Sequence, residues 1–184
     1  MAEAAVRPAT EDDVAEIARI QLLTWRSGYA ELLPPDVLAG LDEAAAVEQW
    51  HAAVTGPAQV FVATEGGWTV GFCVAGPAPT SESSTVDDQP PPDADVVVLV
   101  GALHVEPRWG RRGHGGRLLA AALESLAARG FRRGISWVPE SDTASISFYH
   151  RAGWTADGLV RTLDAGGRPL REIRLTGPLR VDLV

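Results

Sequence analysis

The stretch from Pro107 to Leu119, PRWGRRGHGGRLL, gathers four glycines and four arginines at one point of an otherwise acidic chain. An apolar run, VVVLVGALHV, leads into it, and a leucine-bearing helical pattern leads out. A helix N-terminus leaves backbone N–H groups unpaired and carries a partial positive charge. Glycines let the backbone approach a ligand closely, and Arg111, Arg112 and Arg117 add charge that can meet phosphate oxygens. The chemistry this order supports is the cradling of a phosphate ester. Two common phosphate motifs do not fit. A P-loop needs Gly-Lys-Ser/Thr at its end, and a dinucleotide fingerprint needs its third glycine and an earlier place in the chain.

Other side chains could move protons. A tyrosine with an ordinary pKa of ~10 can protonate a departing group, which makes Tyr149 a candidate acid. On spacing alone, the pair Phe148-Tyr149 on a short helix reads as packing. His104 has the chemistry of a base but lies within a strand, where a satisfied buried histidine is the alternative. His51 reads as a surface residue, and His150 follows Tyr149 but points about 100° away on a helix. Cys73, the only cysteine, sits in the apolar run GFCVAG and reads as a small core residue rather than a nucleophile. The histidines, the cysteine and the acids show no metal-ligand spacing.

The elements that must position these residues follow from periodicity. AVRPAT reads as a short first strand ending at Pro8. Thr10 and Asp13 have capping-box spacing, and Val14, Ile17, Ala18, Leu22, Trp25 and Tyr29 recur on one helical face that ends near residues 28–30. DEAAAVEQWHAAV is a second helix, capped by Asp42 and stopped at Gly56-Pro57. QVFVATEGGWTVGFCVAG is a hairpin turning at Glu65-Gly66-Gly67. Residues 76–95, rich in Pro, Ser and Asp, fit no element and are expected to form a mobile loop. VVVLVGALHV is expected to be a central strand buried on both faces. A helix from Gly115 to Arg129 follows, then the strand GISWV. A short helix in SDTASISFYHRAGW is capped by Ser141 or Asp142. TADGLVRTL and REIRLTG make a final antiparallel pair.

With 184 residues, a formal charge of -8 and a pI near 4.9, the chain is expected to form one domain over 1–184 with a real core. The acidic balance argues against a nucleic-acid partner, which would need a basic face. No apolar run approaches the ~20 residues that span a bilayer. MAEAAVRPAT lacks the pattern of a signal peptide, so the expected place is the cytoplasm, with no membrane partner.

Taken together, LHVEPRWGRRGHGGRLL and DTASISFYHRAGW resemble the two signatures of the GNAT superfamily of acyl-CoA-dependent N-acyltransferases. Leu103, Val105 and Pro107 match the strand end, Gly113 and Gly115 the two glycines, and Leu118 and Leu119 the helix start. Phe148-Tyr149 and Gly153-Trp154 match the second signature, and Trp25, Tyr29, LLPPDVL and Trp50 sit where bacterial members have similar residues. The resemblance implies an α/β (α+β) fold. Its mixed, mostly antiparallel sheet of six to seven strands is splayed between strands four and five and flanked by helices.

The resemblance also implies a donor and a route. Acetyl-CoA would lay its pantetheine arm along Leu103, His104 and Val105, with a further contact at Asp142. Its pyrophosphate would rest on the N–H groups of Arg111, Arg112, Gly113, His114, Gly115 and Gly116. An amine acceptor, a small molecule or a peptide, would enter from the other side of the sheet and attack the thioester directly. Tyr149 would serve as general acid. His104, Glu31 in the acceptor-binding region, or a water chain would serve as base, since Leu99 stands where members often carry a base-like Glu. Gly110 and His114 replace a long polar and an aliphatic residue, and Asp142 and Ser145 replace Asn and Ala. No metal is implied, and a homodimer is in keeping with the family. The missing acid at Leu99 also fits an alternative, a non-catalytic acyl-CoA-binding or sensing module on the same fold.

Overall fold

The computed structural model describes residues 3–181. The first strand, β1 (Ala4–Pro8), ends at its proline and pairs antiparallel with β2 (Gln59–Glu65). Between them lie the elements of one face. The Thr10 N–H donates to the Asp13 carboxylate at 2.8 Å, closing a 3-10 turn over Glu11–Asp13 that runs into α1 (Val14–Gly28). Arg7 clasps the same carboxylate at 2.7 Å. After α2 (Pro35–Ala39), α3 (Glu43–Thr55) begins at Asp42, whose side chain accepts from the N–H groups of Ala44 and Ala45. The hairpin β2–β3 (β3, Trp68–Pro77) turns on Gly66 and Gly67, which both take positive φ, 59° and 85°.

The remaining elements alternate across the sheet: α4 (Thr80–Ser83), β4 (Val97–Val105), α5 (His114–Ala128), β5 (Arg133–Pro139), α6 (Thr143–Arg151), β6 (Thr155–Asp164) and β7 (Pro169–Pro178). They make one seven-stranded sheet in the order β1-β2-β3-β4-β5-β7-β6, antiparallel except for β4 beside β5. On one face, Ile17, Ile20 and Leu22 of α1 and Trp50 of α3 pack against Val62 and Phe72. On the other, Leu118, Leu119, Leu123 and Leu126 of α5 pack against Cys73, Val98 and Val100, with Trp154 and Leu175 alongside.

The sheet splays as the resemblance implies. β4 and β5 pair only from Val97↔Arg133 to Leu99↔Ile135. Beyond that point β4 stays with β3 as far as Val105↔Gly71, and β5 stays with β7 as far as Pro139↔Glu172. At the fork the Ser136 hydroxyl donates to the Val100 carbonyl at 3.0 Å, a side-chain bond where the strand ladder stops.

Two expectations need correction. β4 is not buried on both faces throughout: Val97, Val98 and Val100 are buried, but Gly101 is exposed and Ala102 to Val105 are half-buried. The splay opens this half of the strand. Residues 76–95 do contain elements. α4 occupies Thr80–Ser83, and a 3-10 turn occupies Ala94–Val96. Long-range ion pairs tie the segment to the sheet: Glu82 to Arg161 at 2.7 Å, and Asp93 to Arg133 at 2.6 Å. Arg174 also donates to the carbonyls of Glu82 and Ser84. Such partners lie too far off in the sequence to be read from local composition.

Candidate active site

The fork between β4 and β5 is the centre of the site. On the α5 side lies a cavity of about 390 Å³, walled by Leu103, Val105, Trp109, the glycine turn (Gly110, Arg111 and residues 113–116) and α6. On the α1 side lies a second cavity of about 490 Å³, walled by α1, α3, the diverging strands and β6–β7. Leu103, Ser145 and Tyr149 border both, so the two cavities meet at the fork.

The first cavity is built for an anion at one end. Gly113, with φ 78°, is the N-cap of α5, and the N–H groups of the first turn have no partner within the helix. Arg111 borders the cavity and takes a left-handed backbone, φ 60°, which a non-glycine residue rarely adopts. A Cβ on Gly115 would lie 3.4 Å from Phe148 and 3.6 Å from Leu103, in ordinary contact with the apolar wall. Arg151 of α6 adds a second guanidinium to the wall.

A bulge re-aims β4 toward the second cavity. Val74 faces Ala102 and Ala75 faces Val100, so Gly101 is the extra residue. Val98 and Val100 pack on the α5 side, whereas beyond Gly101 it is Leu103 and Val105 that do so. Ala102 joins the α1 side, and the His104 ring meets Phe72 of that same layer at 5.4 Å between centroids. His104 therefore borders the α1-side cavity.

The electrostatics separate the proton carriers. Burial raises the Tyr149 hydroxyl above the ordinary tyrosine range, opposed in part by a hydrogen bond with Ser136, so the phenol stays protonated. Burial lowers His104 to about 4, with the Asp142 carboxylate opposing. Tyr29 is pushed up to about 12, by burial first and then by Asp142 and Glu172. Burial pushes the Cys73 thiol to about 12, in keeping with a packing role.

The profile of the Acetyltransferase (GNAT) family matches residues 17–154, a span that contains the bulge, the glycine turn and α6. The chain belongs to this acetyltransferase family. It is 32% identical over 146 residues to the uncharacterized N-acetyltransferase YuaI of Bacillus subtilis, covering 78% of this chain and 76% of that one. Among solved structures it resembles yncA, a putative acetyltransferase from Salmonella typhimurium with its cofactor acetyl-CoA. There the TM-score is 0.70 at 18% identity, over 98% of this chain and 96% of that one. A GNAT superfamily phosphinothricin acetyltransferase from Sinorhizobium meliloti, in complex with AcCoA, matches with a TM-score of 0.71 at 20% identity. The match covers 95% of this chain and 88% of that one.

Within this GNAT fold, the residues singled out from the sequence separate into groups. Leu103, Val105, Arg111, Gly113, Gly115, Gly116 and Tyr149 all border the α5-side cavity. Arg112 does not. Its guanidinium turns back to Glu65 at 3.0 Å and lies over the Trp109 ring at 4.9 Å. His114 borders the cavity only at the helix start. Its side chain is fully buried and its Nε2 lies 2.7 Å from Glu65. Asp142 caps α6, accepting from the Ser145 N–H at 3.0 Å, and faces the α1-side cavity. Glu31 is exposed and does not border that cavity, although its neighbours Leu32 and Leu33 do. The fold thus does not bring this candidate base to the fork.

Sequence reasoning missed Glu172, Trp137 and Gln49 on the α1-side wall and Trp109 and Arg151 on the other. It also missed Glu106, buried after β4 and paired with Arg19 at 2.9 Å and with Arg108. For the bulge a signal was present: an isolated glycine inside a strand pattern marks a bulge. For Glu172 there was none, because an acid in the alternating strand REIRLTG reads as solvent-facing. No described helix is long and apolar enough to cross a membrane, and no group of three metal-ligating residues occurs among the described residues.

Proposed function

We propose that the chain transfers the acetyl group of acetyl-CoA to a primary amine by direct attack. The observation that carries this reading is the meeting of two cavities, one on each face of the sheet, at Leu103, Ser145 and Tyr149. Acetyl-CoA enters from the α5 side. Its diphosphate rests on the first-turn N–H groups of α5 beside Arg111, and its pantetheine arm lies along the unpaired edge of β4 from Gly101 to Val105. The thioester then sits at the fork. The amine arrives through the α1-side cavity, and its nitrogen adds to the thioester carbon. The tetrahedral intermediate collapses by breaking the C–S bond, and CoA leaves as thiolate.

Tyr149 supplies the proton that the thiolate takes up. Burial keeps the phenol protonated at rest and makes it a weak acid, so the proton passes to sulfur only as the C–S bond breaks. The phenolate is reprotonated by the proton that the attacking nitrogen sheds as it becomes the amide. The ammonium's proton must leave before attack. His104, held near pKa 4, is a weak acceptor for it. A water chain through the cavity mouth is the better route, with His104 hydrogen-bonding along it.

The reading is tested by mixing protein and acetyl-CoA with a panel of amines and following free thiol. The chain contains no lysine, so acetylation of its own lysines cannot account for thiol release. Tyr149→Phe should lower turnover with little effect on CoA affinity. Saturable acetyl-CoA binding without turnover on any amine, from about pH 6 to 9, would instead support a binding module.

A further inference from the structure

The charge and shape of the α1-side cavity narrow the acceptor, given the transferase reading above. Its walls carry the aromatic rings of Trp25, Tyr29, Trp50 and Trp137, with Tyr149 at the fork. Trp25 and Tyr29 pack edge to face at 6.2 Å between centroids. The charged side chains that border it are two carboxylates, Asp142 and Glu172. Among the described residues, no arginine borders it, and the chain has no lysine.

The two guanidiniums that lie over Trp137 are already committed. Arg161 lies over the Trp137 ring at 4.4 Å and pairs with both Glu82 and Glu172 at 2.7 Å. Arg174, 5.7 Å from the same ring, pairs with Asp157 at 2.7 Å and donates to two backbone carbonyls. A carboxylate or phosphate on the acceptor would therefore enter a site with negative charge on its wall and no free cation to meet it. An uncompensated anion in such a place is costly. Glu172 is compensated by Arg161, but Asp142 has no cationic partner among the described residues, so an ammonium gains from Asp142, and an aromatic skeleton gains from the rings on the wall. The Trp137 Nε1–H is buried without a partner, which leaves a donor for a neutral oxygen on the ligand.

We propose that the acceptor is an arylalkyl primary amine that carries no acidic group. The cavity of about 490 Å³ is in the range of small-molecule sites. The proposal excludes free α-amino acids as good acceptors, because each brings a carboxylate next to the reacting nitrogen.

The test uses pairs that differ only in that carboxylate: tyramine against L-tyrosine, and 2-phenylethylamine against L-phenylalanine, with spermidine as a cation lacking a ring. Thiol release from acetyl-CoA gives kcat/KM for each. Each amine should exceed its amino acid on the order of 100-fold, as expected for leaving a carboxylate unpaired in the site. Gln49→Arg, an exposed position on the cavity wall, should narrow that ratio by offering the carboxylate a partner. Equal rates within each pair, or turnover of spermidine alone, would overturn the proposal while leaving the transferase reading intact. No turnover on these five with turnover on another amine of the wider panel would likewise overturn the proposal alone, whereas acetyl-CoA binding without turnover on any amine of that panel would reject the transferase reading, and this inference with it.

Discussion

His114 Nε2 lies 2.7 Å from Glu65 Oε2, which ties the first residue of α5 to the last residue of β2. On its other side, His114 Nδ1 lies 3.1 Å from Arg117 Nη2. Arginine can only donate, so the ring proton is assigned to Nε2 and Nδ1 accepts. Arg117 Nη2 also donates to the Arg112 carbonyl, and Arg112 pairs with the same Glu65. Burial pushes the Glu65 carboxyl up, but the bonds from His114 and Arg112 outweigh this and hold it below the usual range. The glycine turn is thus held from behind by β2. Glu65→Gln should weaken both bonds and raise the acetyl-CoA KM several-fold, with kcat little changed. Steady-state kinetics at saturating amine measure this split, and an unchanged KM would confine the network to stability.

Burial holds His104 near pKa 4, against an ordinary 6.5. The folded state therefore favours the neutral ring, and the unfolded chain binds more protons between those values. The stability this group supports is full above about pH 6.5 and is lost as pH falls toward 4, by on the order of 3 kcal/mol in all. Thermal melts from pH 7 down to 4 should show Tm falling through this window. In His104→Gln the fall should be shallower, because the substituted side chain does not titrate. An identical slope would mean that the carboxylates, not His104, set the acid limit.

The donor half of the site was legible in the sequence because its geometry is local. Gly113, Gly115 and Gly116 sit at a helix start, and a strand, turn and helix in succession place them with no help from distant residues. The acceptor half was not. His104 faces the amine side only because Gly101 inserts one residue into β4 and reverses the faces beyond it. A single glycine in VVVLVGALHV carried that message, but the run's length and apolarity spoke for a plain central strand. Glu31, near in sequence to helix α1, proved exposed, while Glu172, more than a hundred residues away, borders the cavity. The anchoring of residues 76–95 likewise rests on Arg133, Arg161 and Arg174, which only the folded sheet brings close.

Arg111 takes φ 60° while Gly110 beside it takes an ordinary -61°. The strained conformation thus falls on the residue with the side chain, at a cost of about 1–2 kcal/mol. That cost is borne where the guanidinium borders the donor cavity. Arg111→Gly should have two effects of opposite sign. It should raise Tm by a few degrees by relieving the backbone. It should also raise the acetyl-CoA KM, most at low salt, by removing a phosphate partner. A melt and a salt series on the same variant separate them, and a fall in Tm would show that Arg111 supports the turn instead.

Trp154 lies fully buried across two glycines that are register partners, Gly134 on β5 and Gly177 on β7. A Cβ at Gly177 would come 2.2 Å from the indole, and one at Gly134 would come 2.4 Å from it. The indole N–H donates to the Pro178 carbonyl at 3.1 Å, so the ring cannot slide away without losing that bond. Gly177→Ala should therefore destabilise by about 1–3 kcal/mol, as overpacking of a full core does. At this chain length each kcal/mol lowers Tm by roughly 2–4 °C. Gly76→Ala is the control: a Cβ there meets only Ala58, at 3.9 Å, so its melt should stay near that of the parent. The double variant Gly177→Ala/Trp154→Phe should recover part of the loss, since the smaller ring yields the space. If the double is as unstable as the sum of the two singles, the clash is not with Trp154.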